Sequence, residues 1–144
     1  MTDDQLSIDV LESVRTIAVV GASNKPERAS FRVMAFLKTC GYDVIPVNPA
    51  LEGETLHGEQ VVASLADIDK TVDMVDVFRR SDQAGEVIDE AIEIGAKAVW
   101  LQLGVDSPDA QKRAEDAGLK VVVNRCPKID IPDLSINTPS SFNV

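Results

Sequence analysis

Five short segments stand out along the chain for their density of valine and isoleucine: Thr16–Val20, Val44–Val47, Val72–Phe78, Ala98–Leu101 and Val121–Val123. Most are nearly continuous apolar runs rather than alternating ones, the pattern of strands covered on both faces in a parallel sheet. Between them the apolar positions change to a helical period. Ser30–Cys40 carries Phe31, Met34, Phe36 and Leu37, and Ser81–Ile94 carries Ala84, Val87, Ile88, Ala91 and Ile92 close to the spacing of one helix face. Asp109–Ala117 repeats alanine at 110, 114 and 117. Ser81 and Ser107 are the expected N-caps, and Pro108 suits a first helical position, where its missing N–H costs nothing. Three times a helical stretch ends, a glycine follows and a strand begins, at Gly41, Gly95 and Gly118. Glycine makes the left-handed turn after a helix without a Cβ penalty.

The predicted elements are a first helix over about 6–13 and strands β1 over 16–20, β2 over 43–47, β3 over 72–78, β4 over 97–101 and β5 over 119–123. Strands and helices that alternate at irregular spacing give an α/β fold: one Rossmann-like, doubly wound domain with a mainly parallel five-stranded sheet and right-handed crossovers. The expected core spans about 14–129. The stretch after Cys126 contains Pro127, Pro132 and Pro139 and reads as an extended C-terminal tail over 130–144, with no second domain. A chain of 144 residues buries roughly 68–70% of its unfolded surface, enough for a core without disulfides or metals.

Composition narrows the classes. An apolar content of 44% excludes a disordered chain. No apolar run approaches the ~20 residues that span a bilayer, and the N-terminus MTDDQLSIDV lacks the basic and apolar regions of a secretory signal. The expected location is the cytoplasm. Cys40, Cys126 and the single His57 are too few for a disulfide framework or a structural zinc site. A net charge of −10 and a pI of about 4.4 argue against nucleic acid or an anionic membrane as partner. A small anionic ligand stays open, because it feels the local field more than the total. Homodimerisation and any protein partner also stay open.

Ligands of open parallel sheets bind beyond the carboxyl ends of the strands, near the switch in strand order. Lys25, Arg28, Arg32, Arg79, Arg80, Arg125 and Lys128 fall in or just past those loops, seven of 14 basic residues in a chain with 24 acidic ones. A basic rim on an acidic domain points to phosphate. In the loop after β1, Gly21 permits a tight turn and small residues at 22 and 23 let backbone N–H groups approach a diphosphate at the start of a helix. Ser23 and Pro26 stand where the standard dinucleotide fingerprint has its second and third glycines. After β2, where an NAD site usually carries a carboxylate for the ribose, the chain has Asn48 and Pro49.

The segments VGASNKPERAS, YDVIPVNP, VDVFRR, AVWLQLGV and LKVVVNRCPKI resemble, in this order, the stand-alone CoA-binding domain proteins. These are small Rossmann-like proteins related to the CoA-binding domain of succinyl-CoA synthetase and of the ADP-forming acyl-CoA synthetases. The resemblance runs from about Val14 to Ile129. It implies CoA or an acyl-CoA as ligand, with the diphosphate on the first loop and the adenine beyond neighbouring strands. By that resemblance Gly21, Ala22 and Ser23 form the diphosphate turn, and Arg28 and Ser30 lie near phosphate. Val47, Asn48 and Pro49 wall the nucleotide, while Val77, Phe78 and Arg79 meet the adenine and a phosphate. Gln102 and Gly104 lie near the pantetheine arm, and Asn124, Arg125 and Cys126 complete the motif after β5. The ligase domains and phosphorylated histidine of the synthetases are absent, and His57 reads as a surface loop residue.

Cys126 has two readings, a small apolar residue closing β5 or a thiolate favoured by Arg125 and Lys128 that meets the CoA thiol. Cys40 reads as structural. Asp73 and Asp76 are expected to cap or pair locally, because a phospho-acceptor site also needs acidic residues after β1, where the chain has Gly-Ala-Ser. No Ser–His–Asp group or carboxylate dyad is evident. The expected function is a CoA-binding protein without chemistry of its own. The alternatives are a small NAD(P)-binding oxidoreductase or nucleotide-binding protein, and an interaction module whose loops bind nothing.

Overall fold

The five apolar runs pair into one parallel sheet. The computed structural model describes residues 1–142, with β1 at Thr16–Val20, β2 at Asp43–Val47, β3 at Met74–Val77, β4 at Ala98–Leu101 and β5 at Lys120–Val123. Their order is β2-β1-β3-β4-β5, and the register sets Pro46, Val19, Asp76, Trp100 and Val122 in one row across the sheet. The chain runs outward from β1 to β2 and then crosses back to β3. That reversal opens a crevice above β1 and β3, where doubly wound sheets hold their ligands.

Helices cover both faces, which is why the strands lack polar alternation. They are α1 (Asp3–Ser13), α2 (Ala29–Thr39), α3 (Ser81–Glu93), α4 (Pro108–Asp116) and α5 (Pro127–Asp133). Ile17, Val19, Met74 and Trp100 pack with Leu11 of α1, Met34 and Leu37 of α2, and Ile131 of α5. Ala18, Val75, Val99 and Leu101 pack on the other side with Ile88 and Ala91 of α3 and Ala110 and Ala114 of α4. The alanines of α4 thus form its buried face and let it approach the sheet closely.

Three features differ from the pattern-based expectation. The first helix begins at Asp3, because Thr2 and Gln5 close a capping box: the Thr2 hydroxyl accepts the Gln5 N–H at 3.1 Å and the Gln5 amide accepts the Thr2 N–H at 3.3 Å. Ser81 lies inside α3 instead of capping it. Its hydroxyl accepts the Asp106 N–H at 3.0 Å and donates to the Gly104 carbonyl at 3.4 Å, tying two loops together. Ser107 does stand at an N-cap position with Pro108 behind it, but its side chain makes no capping bond.

The expected extended tail is folded as far as it is described. Pro127 starts α5 at the first helical position, and Ile131 and Ile136 bury themselves under α1 and α2. A 3-10 turn follows at Pro139–Phe142, and Asn143 and Val144 lie outside the described residues. The Asn137 N–H donates to Glu12 at 2.9 Å and the Ser140 N–H to the Cys40 carbonyl at 2.9 Å. Gly41 makes room for this docking: a Cβ there would lie 2.7 Å from the Ser140 nitrogen. A two-stranded hairpin, Thr55–Leu56 with Glu59–Gln60, also escaped the pattern. His57 sits in its turn, half-buried, with its ring 4.2 Å from that of Phe31. Among the described residues no helix is long and apolar enough to cross a membrane.

Candidate functional site

The loops beyond β1, β2, β3 and β4 surround a cavity of about 720 Å³ at the carboxyl edge of the sheet. Its inner wall is made of the buried residues Ala22, Ser30, Gln102 and Cys126, and its mouth of the exposed Lys25, Arg28 and Leu103. Phe78 and Arg79, half-buried at the end of β3, lie between them.

The turn after β1 is shaped by Gly21. Its φ of +93° is a left-handed conformation, and a Cβ on it would stand 2.1 Å from the Phe78 carbonyl oxygen. The Gly21 N–H donates to the Val47 carbonyl at 3.0 Å and the Ala22 N–H to the same oxygen at 3.3 Å. These two N–H groups therefore brace the turn and are not offered to a ligand, contrary to expectation for Ala22. The free donors lie further on. Among the described residues Ser23 and Asn24 find no partner for their backbone N–H groups, and neither do Ala29, Ser30 and Phe31 in the first turn of α2. Arg28, the N-cap residue of α2, makes no side-chain capping bond. A bare helix N-terminus beside a cavity is a ready anion site.

Charge is arranged in the same sense. Among the described residues Arg15, Lys25, Arg28, Arg32, Arg79 and Lys128 make no ion pair, and all but Arg15 belong to the carboxyl edge. At the opposite edge cations are consumed: Lys70 pairs with Asp43, Lys97 with Asp73 and Lys120 with Asp9. A second cavity there, of about 440 Å³, has Lys97 and Lys120 in its wall, both already neutralised. Lys25, Arg28 and Arg79 line the first cavity without an ion pair, and Arg79 also acts on the Glu90 carboxylate from a distance.

Not every expected site residue reaches the cavity. Gly21, Ala22, Ser23, Arg28, Ser30, Asn48, Phe78, Arg79, Gln102 and Cys126 line it. Val47 and Val77 are buried strand ends beneath it, Pro49 points into solvent in a short 3-10 turn, and Gly104 stands beside it. Asn124, in a left-handed conformation at φ 59°, uses its Oδ1 to accept the Gly104 N–H at 2.8 Å. Asn48 is also internally occupied. Its Nδ2 donates to the Ala22 carbonyl at 2.8 Å and its Oδ1 accepts the Ala50 N–H at 2.9 Å, so it braces the first loop against the second.

Arg125 faces away from the cavity. Its guanidinium bonds Asp130 at 2.6 Å and Asp4 at 2.7 Å, and Asp130 also accepts the Ser7 hydroxyl at 2.7 Å. The Trp100 indole donates to the Arg125 carbonyl at 2.8 Å. This residue clamps α1 and α5 to the loop after β5. Lys128 lies over the Phe36 ring, 5.8 Å from its centroid. Cys126 is a buried residue of the cavity wall. Leu51, Leu103 and Val105 line the cavity without having been expected there. The signal for Leu103 was an apolar residue in a loop after a strand; it is 56% exposed.

The two aspartates part company. Asp73 accepts the N–H groups of Arg15 at 2.9 Å and Thr16 at 3.0 Å and lies 3.4 Å from Lys97. Burial alone would raise its pKa, but these three partners hold it below the ordinary carboxylate value. Asp76, expected to pair, does not. It is completely buried in the middle of β3 with neither oxygen hydrogen-bonded, and burial pushes its pKa well above the ordinary value.

The comparisons agree with this geometry. Residues 15–132 match the family model described as the CoA binding domain. The chain is 38% identical over 121 residues to the uncharacterized protein YneT of Bacillus subtilis (strain 168), covering 84% of this chain and 88% of that one. A hypothetical protein from Pyrococcus horikoshii OT3 superposes with a TM-score of 0.87 at 38% identity, over 94% of this chain and 93% of its own. The dinucleotide forming acetyl-coenzyme A synthetase 1 of Ca. Korarchaeum cryptofilum superposes with a TM-score of 0.67 at 25% identity, over 79% of this chain and 26% of its own. From its strand order to its first loop, the chain belongs to the CoA-binding domain family.

Proposed function

We propose that this protein binds CoA or a short acyl-CoA through its diphosphate and adenine, and holds it without catalysing a reaction of its own. The observation that carries this reading is the bare N-terminus of α2 flanked by the unpaired Lys25, Arg28 and Arg79, in a chain of net charge −10. A diphosphate supplies the missing acceptors and the missing negative charge together. Gly21 fits the same group, since a bulkier residue would displace the turn that carries those donors. Phe78, Leu51 and Leu103 offer an apolar wall of the kind an adenine ring covers.

The lining residues include a thiol, hydroxyls and three carboxamides but no histidine and no acidic side chain. This supports holding and presentation over acid–base chemistry. The NAD(P) alternative has less support, because Asn48 takes the place of the ribose-binding carboxylate and its side chain is already committed on both ends.

Calorimetric titration of the ligand-stripped protein with CoA, NAD and NADP tests the reading. Binding of CoA in preference to both nicotinamide nucleotides, weakened about tenfold in Arg28→Ala, is expected. Tighter binding of NAD or NADP would replace it with a redox function.

A further inference from the structure

The two outer strands of the sheet end differently. Beside β2 the chain returns: the Val62 N–H donates to the Pro46 carbonyl at 3.1 Å, and the Asn48 N–H donates to the Val62 carbonyl at 3.0 Å. Val62 also bridges Val47, so the outer side of that strand is capped. Among the described residues β5 has β4 as its only sheet neighbour. The Lys120 N–H donates to the Lys97 carbonyl at 3.0 Å and the Asn124 N–H to the Leu101 carbonyl at 2.9 Å. These two bonds fix the phase of the ladder, because alternate residues of a strand turn their backbone groups to opposite sides. Lys120, Val122 and Asn124 face β4. Val121 and Val123 turn their N–H and carbonyl groups outward, where none finds a partner among the described residues.

Sheets blunt such an edge with a proline, a bulge or a charge set within it. β5 is as long as β3 and β4, pairs in unbroken register, and reads Lys120-Val121-Val122-Val123 with its one charge at the start. Val121 and Val123 are half-buried. A cleft of about 130 Å³ runs along them, lined also by Asp3, Leu6, Val122 and Arg125.

The open edge is complementary to itself. A second β5 lying antiparallel about a twofold axis level with Val122 sets Val121 of each copy opposite Val123 of the other, so both outward valines exchange N–H···O bonds. An axis level with Val121 or Val123 would pair only that residue with its own copy. Charge agrees with the first arrangement. α1 runs antiparallel to β5, with Asp9 paired to Lys120 near one end and Asp4 to Arg125 near the other. The axis therefore brings the partner's Asp3 beside Lys120. Asp3 is exposed and makes no ion pair among the described residues. Lys120 itself faces the partner's Asn124, so no like charges meet in the ladder.

We propose that β5 is a homodimerisation edge, at which two copies of this chain join antiparallel into one continuous sheet. An interface of roughly 1,000 Å² needs more than the ladder. The two α1 helices, side by side on one face of the joined sheet, add Leu6 and the pairing of Asp3 with Lys120. The inference is independent of what the cavity binds.

Sedimentation of the full chain over a range of concentrations tests it, with far-UV circular dichroism of each variant as the check on folding. The wild type is expected to dimerise. Val121→Lys combined with Val123→Lys sets like charges opposite each other and is expected to weaken association at least about tenfold. Val121→Lys combined with Val123→Glu sets opposite charges in the same places and is expected to restore association to within about threefold of wild type. A wild type that stays monomeric up to about 1 mM overturns the proposal. So does a doubly basic variant that associates like wild type, or a folded mixed-charge variant that loses as much as the doubly basic one. Hydrogen exchange on the wild type decides the matter even where these substitutions unfold the chain. The Val121 and Val123 amides are expected to gain protection as concentration rises, and exchange that is the same at every concentration overturns the pairing.

Discussion

The Phe78 carbonyl oxygen occupies the space that a Cβ on Gly21 would need, 2.1 Å from where that carbon would lie. The contact joins the ends of β1 and β3 at the point where strand order reverses. Gly21 also has a φ of +93°, so a side chain there meets both a clash and a disfavoured backbone. Gly21→Ala is expected to cost at least about 2 kcal/mol of stability and to abolish ligand binding at the first loop. Denaturant unfolding monitored by circular dichroism measures the first effect. An alanine variant as stable as wild type would show that the turn relaxes freely.

Asn48 offers a test that separates an internal brace from a nucleotide contact. Asn48→Asp keeps the acceptor for the Ala50 N–H but sets a carboxylate oxygen against the Ala22 carbonyl in place of a donor. The expected loss is about 1–3 kcal/mol of stability, with no gain in affinity for NAD despite the carboxylate now following β2. Enhanced NAD binding in this variant would mean that the side chain is available to a ribose after all.

The sheet was legible because its strands are covered on both faces, so that Thr16–Val20 and Asp43–Val47 show as dense apolar runs with the observed boundaries. The end of the chain was misread for a related reason. Pro127 and Pro132 suggest extended backbone, yet Pro127 occupies the one helical position that needs no N–H, and Ile131 and Ile136 are the residues that dock. Two-residue strands such as Thr55–Leu56 carry too little pattern to be seen. At the site, the loops picked out in the sequence meet around one cavity, but the sequence could not tell a free side chain from a committed one. Arg28 and Arg125 look equivalent along the chain. Only the fold shows that Asp4 and Asp130 consume the second and leave the first unpaired.

That difference predicts opposite phenotypes for the same substitution. Arg28→Ala should weaken CoA about tenfold and leave the thermal midpoint unchanged, because an exposed cation without a partner contributes little to folding. Arg125→Ala removes the partner of Asp130, whose side chain is only 9% exposed, and should cost about 3 kcal/mol while leaving CoA affinity within about twofold. Paired calorimetry and thermal unfolding on both variants decide the matter. Loss of affinity without loss of stability in Arg125→Ala would return that residue to the site.

Asp76 predicts a pH dependence whose sign follows from its surroundings. It lies between Val19 and Trp100 in the sheet with no charged partner, and burial raises its folded pKa well above the ordinary value. The folded state therefore holds a proton that the unfolded state releases near pH ~4. Below that pH both states are protonated and the group does not affect stability. Above it the unfolded chain gains by ionising while the folded chain does not, so stability falls as pH rises, until the folded pKa is reached. Asp76→Asn removes this proton linkage while keeping size and polarity. Relative to wild type, the variant should gain about 1.4 kcal/mol of stability per pH unit across that interval. Urea unfolding of both proteins at several pH values from about 4 to 8 gives the slope directly. A difference that stays constant with pH would mean that Asp76 ionises as readily in the folded protein as in the unfolded chain.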